Sequence, residues 1–160
     1  MQKIQTFLWF ENNNAAEAAD FYTSVFKNSK IVSRMPGSPS IMNGKPIGVT
    51  VSLEDREFIL FNGGKPYQPD WKFNGATSFF INCETQQEVD HYWDKLSEGG
   101  QPSQCGWLTD QFGITWQVVP TILGKVLTDP DRTKADRAMQ AMLKMTKLDI
   151  ATLQKAYNGE

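Results

Sequence analysis

Apolar and polar positions follow two successive series along the chain. In the first, a strand over Lys3–Phe10 precedes a helix over about Ala15–Phe26, and strands follow at Lys30–Met35, Ile47–Leu53 and Phe58–Phe61. Apolar residues at three- and four-residue steps indicate the helix, whereas β-branched and aromatic residues mark the strands. The series predicts a β-α-β-β-β module over about residues 1–64.

The second series repeats this order after a linker loop over about residues 65–75, which is rich in Gly, Pro and aromatic residues. The strand Ala76–Cys83 leads into a helix over Gln86–Glu98, which Thr85 and Glu88 should cap. Shorter strands are predicted at Gln101–Gly106, Trp107–Leu108 and Ile114–Val119. These elements form a second module over about residues 76–122.

A tail without a counterpart in the first module covers about residues 129–157. Its apolar spacing predicts two helices within Arg132–Tyr157, broken near Lys147–Asp149. Its methionines suggest packing against another surface, such as a second subunit. The expected fold class is therefore α+β, with paired β-α-β-β-β modules in a cupped mixed sheet and a C-terminal helical extension.

The segment CGWLTDQFGITWQVVP carries the most specific chemistry. Asp110 and Gly113 supply turn chemistry, and we favour a turn over a ligand contact for Asp110. In the strand that follows, Ile114 and Trp116 alternate with polar residues that include Gln117. The Gln117 amide either faces a ligand or satisfies solvent and backbone groups, and the sequence leaves both open.

Charge and composition exclude several classes of function. Sixteen basic and eighteen acidic residues give a net charge of −2, without the basic run that nucleic-acid binding requires. The first residues resemble neither a secretory signal nor a membrane span, so we expect a cytoplasmic protein. Cys83 and Cys105 are expected to be reduced and idle thiols, and His91 a surface residue, since one histidine cannot build a multi-histidine metal site.

Several segments together resemble the PhnB-like, or 3-demethylubiquinone-9 3-methyltransferase-like, branch of the vicinal oxygen chelate superfamily. They are FLWFENNNAAEAADFYTSVF, the helix with EVDHYWDKL, CGWLTDQFGITWQVVP and RAMQAMLKMTKLDIATLQKAY. The resemblance implies paired modules that curl into a cup, usually in a homodimer. Methyl transfer is not expected, because no Gly-rich turn joins a strand to a helix as in common S-adenosylmethionine enzymes.

Metal-dependent relatives carry four inward ligands on the first and last strands of the two modules. The resemblance places Gln5 or Phe7, Phe58 or a neighbour, Ser78 and Gln117 at those positions. None is His, Asp or Glu, so we expect no catalytic metal and no cofactor. The same strands should instead line an apolar cup for a small molecule. The predicted ligand-binding residues are Gln5, Phe7, Trp9, Phe58, Ser78, Phe80, Trp116 and Gln117.

Three hypotheses follow from the sequence. The leading one is a protein that binds a small apolar or aromatic molecule without transforming it. The alternative is a lyase, isomerase or dioxygenase-type enzyme on the same scaffold. In a third, structural hypothesis the methionine-bearing tail is a docking element and the cup is vestigial.

Overall fold

The computed structural model describes residues 2–40, 42–64 and 71–160, which form two compact units. We call Met1–Lys72 module one and Phe73–Glu160 module two. Module one contains β1 (Thr6–Phe10), α1 (Ala15–Val25), β2 (Ser29–Met35), a 3₁₀ turn (Met42–Gly44), β3 (Gly48–Leu53) and β4 (Arg56–Asn62). Module two contains β5 (Phe79–Cys83), α2 (Gln86–Ser97), β6 (Gln101–Pro102), β7 (Trp107–Thr109), β8 (Thr115–Pro120), α3 (Thr121–Leu127), α4 (Arg132–Met142) and α5 (Ile150–Asn158).

Each module has its own four-stranded mixed sheet. The strand orders are β1-β4-β3-β2 and β5-β8-β7-β6, so in both modules the first strand pairs in parallel with the last one. The other neighbours are antiparallel. The α+β class with paired β-α-β-β-β modules and C-terminal helices is therefore confirmed.

The turn between β3 and β4 is as tight as the sequence predicts. Leu53 pairs with Arg56, so Glu54 and Asp55 alone form the loop. Both have positive φ, at 45° and 62°, which is the backbone of the two-residue hairpin turn that matches strand twist. This turn sets the register that brings Phe58 and Phe61 to opposite faces of the sheet.

Helix α1 is capped from a distant strand. The Ala15 amide donates to Asn62 Oδ1 at 2.8 Å, and Asn62 Nδ2 donates to the Pro46 carbonyl at 2.9 Å. Asn62 is buried at the end of β4, where its polar groups need such partners. One side chain thereby ties the start of α1 to the end of the last strand in module one.

Helix α2 begins as predicted. The Glu88 amide donates to Thr85 Oγ1 at 3.2 Å, and the Glu88 carboxylate accepts from the Glu84 amide at 2.7 Å. Val89, Trp93 and Leu96 form its buried stripe, as predicted. The helix therefore covers one face of the second sheet.

The terminal helices pack on module two itself. Val119 at the end of β8 shares a buried cluster with residues of α3, α4, α5 and the segment just before α5, which are Leu123, Val126, Ala138, Leu153 and Leu148. Met142 and Met145 are partly buried against this cluster, so these two methionines pack within their own module. Helix α3, which the sequence pattern does not predict, and a break over 143–149 complete the tail.

A glutamine on α2 fastens this tail. Gln86 Nε2 donates to the Leu148 carbonyl at 3.2 Å, and Gln86 Oε1 accepts from the Ile150 amide at 2.8 Å. Lys147 adds ion pairs to Asp90 at 3.2 Å and to Asp94 at 2.9 Å. Asp90 accepts a hydrogen bond from the Gln86 side-chain amide, and this bond makes the largest contribution to lowering the pKa of Asp90. The hydrogen bond from Lys147 and its positive charge lower this pKa further.

We expect Gln86→Ala to reduce the free energy of unfolding by about 1–2 kcal/mol, because it removes both bonds to the tail backbone. The matched control is Gln87→Ala, since Gln87 lies on the same helical turn with its side chain exposed. The control should stay within about 0.5 kcal/mol of the wild type. Urea unfolding followed by circular dichroism measures both, and equal stabilities would refute the fastening role.

Candidate functional site

The sheet of module one has a face that α1 does not cover, which we call open face one. Val49, Val51 and Leu60 are buried on the α1 side, so the alternate positions point the other way. Those positions are Phe7, Trp9, Glu57, Ile59, Phe61, Gly48, Thr50 and Ser52. Open face one is therefore strongly aromatic.

On open face one, Phe61 contacts two other aromatic side chains, those of Phe7 and Trp9. The Phe61 ring centroid lies 5.3 Å from that of Phe7 and 5.5 Å from that of Trp9, at tilted angles. Phe7 is nevertheless 52% exposed. The cluster thus presents an apolar surface that the described residues of module one do not bury. Phe61 was absent from the predicted set, although its pairing with Trp9 and Gly48 across the sheet makes it central.

The residues that follow β4 hold Trp9 in place. The indole Nε1 of Trp9 donates to the Gly64 carbonyl at 3.1 Å, and the Gly64 amide donates to Asn13 Oδ1 at 3.0 Å. A Cβ at Gly63 would lie 2.0 Å from the indole, so only glycine permits this approach. The Trp71 ring meets Trp9 edge-on at 5.8 Å. Trp9 is therefore oriented from several sides.

Gln5 lies at one end of open face one, where its side-chain amide donates to the Glu57 carboxylate. Glu57 belongs to β4 and pairs with Ser52. Glu57 carries no signal of its own in the sequence, because it precedes the apolar run of its strand. The structure thus adds a carboxylate beside a predicted amide.

Phe58 lies on the covered face instead. It pairs with Thr6 and Val51, and its side chain is buried on the α1 side of the sheet. The prediction that Phe58 faces the cup is therefore wrong by one strand position. Its neighbours Ile59 and Phe61 occupy the open face.

Open face two is the corresponding face of module two, which α2 leaves uncovered. Phe80 and Trp107 lie on either side of Gln117 in the register, and Phe80 is 53% exposed. Gln117 Nε2 donates to Ser78 Oγ at 2.9 Å. Gln117 and Ser78, both predicted site residues, thus form a hydrogen-bonded pair. Exposed Phe80 and half-buried Trp107 lie on either side of Gln117.

Trp116 points to the opposite face and belongs to the core. Its side chain is 4% exposed, contacts Phe79 at a centroid distance of 5.3 Å and donates from Nε1 to Asp110 Oδ2 at 2.8 Å. The prediction that Trp116 lines the cup is therefore wrong. The reason is the alternation of β8, which cannot send Trp116 and Gln117 to the same side.

Asp110 is a structural carboxylate. Its Oδ1 accepts from the amides of Phe112 at 2.8 Å and Ile114 at 3.0 Å, while Oδ2 binds the Trp116 indole. The residue is only 3% exposed. The predicted turn role is confirmed, and the bond to Trp116 extends it into the core.

The donors on the two open faces do not fit a catalytic divalent ion. Open face one offers the Gln5 amide and the Glu57 carboxylate, which bind each other, and open face two offers the paired Gln117 and Ser78. Zinc, iron and nickel sites are built from imidazoles, thiolates and several carboxylates. Within the described ranges no three His, Cys, Asp or Glu side chains converge.

The two thiols differ in their surroundings. Burial, followed by the charge of Glu88, raises the pKa of the Cys83 thiol to about 12. Cys105 is half-buried, and its Sγ lies 3.6 Å from the Met142 carbonyl. The chemically accessible thiol is therefore that of Cys105.

His91 is half-buried on α2, where its ring centroid lies 5.1 Å from that of Tyr92.

Comparison with known proteins identifies the family. The family model described as 3-demethylubiquinone-9 3-methyltransferase matches residues 2–119. The chain belongs to the PhnB-like branch of the vicinal oxygen chelate superfamily. The match ends before the terminal helices, so α3, α4 and α5 lie outside the part that defines this PhnB-like family.

Solved structures agree with the PhnB-like assignment. A putative 3-demethylubiquinone-9 3-methyltransferase, PhnB protein, from Bacillus cereus is 33% identical with a TM-score of 0.68, covering 75% of this chain and 100% of its own. Protein PA1353 from Pseudomonas aeruginosa is 20% identical with a TM-score of 0.62, covering 75% and 98%. The fosfomycin resistance protein FosX from Listeria monocytogenes shares the fold at 12% identity, with a TM-score of 0.55, covering 80% and 98%. No match was found among curated proteins.

Among the described helices of this PhnB-like protein, none has the length and apolar character needed to cross a bilayer.

Proposed function

We propose that this PhnB-like protein binds a small apolar or aromatic molecule on the open faces of its sheets, without a catalytic metal. The aromatic cluster of Phe7, Trp9 and Phe61 is the observation that carries the proposal. A contiguous apolar patch on a sheet face is uncommon unless a ligand or partner covers it. Aromatic rings with a few directed polar groups are the usual lining of small-molecule sites.

Open face two supports the same function with different chemistry. Phe80 supplies a second exposed ring, and the Gln117–Ser78 pair supplies neutral hydrogen-bonding groups beside it. An uncharged amide can orient a ligand through its carbonyl or its amine while leaving the surroundings apolar. We therefore expect neutral ligands rather than anions or cations.

The two enzymatic interpretations receive less support from the residues. Methyl transfer would need a site for its cofactor, yet β1 passes to α1 through Glu11 and three asparagines rather than a Gly-rich turn. A lyase, isomerase or dioxygenase would draw on Glu57 as its nearest carboxylate on open face one. Metal analysis of protein purified without chelators tests this alternative, since a stoichiometric divalent ion would favour it.

We also propose, from family membership alone, that the protein works as a cytoplasmic homodimer. Sedimentation equilibrium at micromolar protein concentration tests the oligomeric state, and a monomer would refute the dimer.

The central test is ligand binding by exposed-ring variants. A panel of neutral aromatic molecules is screened for thermal stabilisation, and the affinity of the best ligand is then measured by calorimetry. We expect Phe7→Ala to weaken binding at open face one, and Phe80→Ala to weaken binding at open face two, each about tenfold, because each removes roughly 1–2 kcal/mol of apolar contact. The unfolding midpoint should change little, since both rings are already exposed.

Exposed apolar residues elsewhere provide matched controls. Val32 on the edge strand β2 and Leu143 in the tail are 45% and 49% exposed, so their alanine variants remove exposed apolar surface at positions that are not predicted to contact the ligand. These variants should bind like the wild type. Equal losses in all four variants, or no stabilisation by any ligand, would contradict the proposal.

A further inference from the structure

Module two contains a pocket of about 360 Å³ beside β7. Trp107, Thr109 and Thr115 form its strand wall, while Ser103 and Cys105 line it from the loop between β6 and β7. Every lining residue is uncharged. The volume lies at the lower end of the range found for small-molecule sites, which suits a molecule of one or two rings.

The Thr115 hydroxyl marks this pocket as more than a surface depression. Thr115 is only 7% exposed, yet its hydroxyl has no hydrogen-bond partner among residues 2–40, 42–64 and 71–160. No fully enclosed side-chain oxygen or nitrogen in those ranges lacks a partner, so this hydroxyl keeps access to the pocket that Thr115 lines. The hydroxyl can therefore donate to and accept from a molecule that occupies the pocket.

The β6–β7 loop that lines the pocket is hydrogen-bonded to the tail and to β7. The amides of Cys105 and Gly106 donate to the carbonyls of Met145 and Thr146, each at 2.8 Å. The Ser103 amide donates to the Trp107 carbonyl at 2.8 Å. The pocket therefore exists without a ligand-induced rearrangement of this loop, which lowers the cost of binding.

We infer that this pocket binds a small uncharged aromatic molecule that carries a hydrogen-bonding group. The Trp107 indole supplies a surface for the ring, and the Thr115 hydroxyl, with those of Thr109 and Ser103, supplies donors and acceptors. The inference rests on the proposed function, because Trp107 belongs to open face two, and it names the part of that face, beside the β6–β7 loop, where the ligand lies.

Cys105 provides a direct reporter of occupancy. It lines the pocket and is half-buried, whereas Cys83 is fully buried with a raised thiol pKa, so iodoacetamide should modify Cys105 alone. The alkylation rate is followed by intact-mass spectrometry with benzamide, benzoate or toluene present. These probes share one ring and differ in charge and hydrogen bonding. Benzamide should slow alkylation saturably and more strongly than benzoate or toluene.

Two glycines allow a blocking variant with a control. A Cβ at Gly75, which lines the pocket, or at Gly124 on α3 would meet no atom within 4 Å, and neither glycine has a positive φ. In Gly75→Leu the alkylation rate should no longer respond to benzamide. Gly124→Leu should respond as the wild type does, because Gly124 lies outside the pocket.

A third variant tests the hydroxyl. Thr115→Val keeps the shape of the side chain and should weaken protection by benzamide roughly fivefold, the effect of one neutral hydrogen bond, without changing that by toluene. Alkylation reports only on the pocket that Cys105 lines, whereas Phe7→Ala and Phe80→Ala report on the exposed rings, so failure of this inference and failure of the proposed function are distinguishable. Absence of saturable protection up to the solubility of benzamide, or an undiminished response in Gly75→Leu, would overturn the inference.

Discussion

Replacing Asp110 with alanine is expected to lower the free energy of unfolding by about 3–5 kcal/mol, one of the two largest effects that the structure predicts. The substitution leaves the amides of Phe112 and Ile114 and the indole of Trp116 without their acceptor. Each unsatisfied buried donor costs about 1–3 kcal/mol, and bonds to a charged acceptor are the stronger ones. Urea unfolding measures the loss.

Asp110→Asn is the matched variant, since it keeps one oxygen and nearly the same volume. An asparagine can still accept from the backbone amides but turns an amine toward the Trp116 indole. It should therefore lose about 1–2 kcal/mol, between the wild type and the alanine variant. Trp116 fluorescence should report the changed environment. If alanine and asparagine variants are both as stable as the wild type, the carboxylate does not hold this turn.

Gly106→Ala is the second substitution with a large expected cost, at about 2–4 kcal/mol. Gly106 has a φ of 82°, and an added Cβ would lie 2.6 Å from the Val118 carbonyl oxygen and 3.1 Å from Leu148 Cδ1. The backbone of Gly106 also bonds to Val118 and to Thr146. The new methyl group would therefore push β8 and the tail away from the same point.

The comparison variant for Gly106 is Gly124→Ala, whose added Cβ meets no neighbour within 4 Å. It replaces a helical glycine and should stabilise the protein by up to about 1 kcal/mol. In Gly106→Ala, faster alkylation of Cys105 should accompany the lower urea midpoint, because the adjacent amide is bonded to the tail. Unchanged stability together with unchanged alkylation would show that the tail tolerates a displaced loop.

The element order was predictable because local patterns determine it. The Thr85–Glu88 cap, the turn at Glu54 and Asp55 and the β-branched strands are all short-range features. Helix α3 escaped prediction because it is brief, directly follows Pro120 and contains Gly124, so it offers little periodicity of its own. The distant cap from Asn62 to Ala15 likewise has no local signal.

Side-chain direction was the harder problem. In β4 the run Phe58–Phe61 is apolar at every position, so alternation does not distinguish the covered face from the open one. The register with Val51 and Val49 resolves it, and this register depends on the turn geometry. In β8 the alternation is visible in the sequence. Applied strictly, it keeps Gln117 among the predicted ligand-binding residues and excludes Trp116 from them. Trp107 and Thr115 become recognisable only through their cross-strand neighbours.

The parallel pairing of first and last strands bears on synthesis at the ribosome. In a nascent chain β1 cannot pair with β4 until β4 has been synthesised. The Ala15 amide likewise has no Asn62 side chain to donate to until 47 further residues have been added. Such long-range closure slows folding and leaves aromatic strands exposed meanwhile. Chaperone demand should therefore peak twice during translation, once before each closing strand appears.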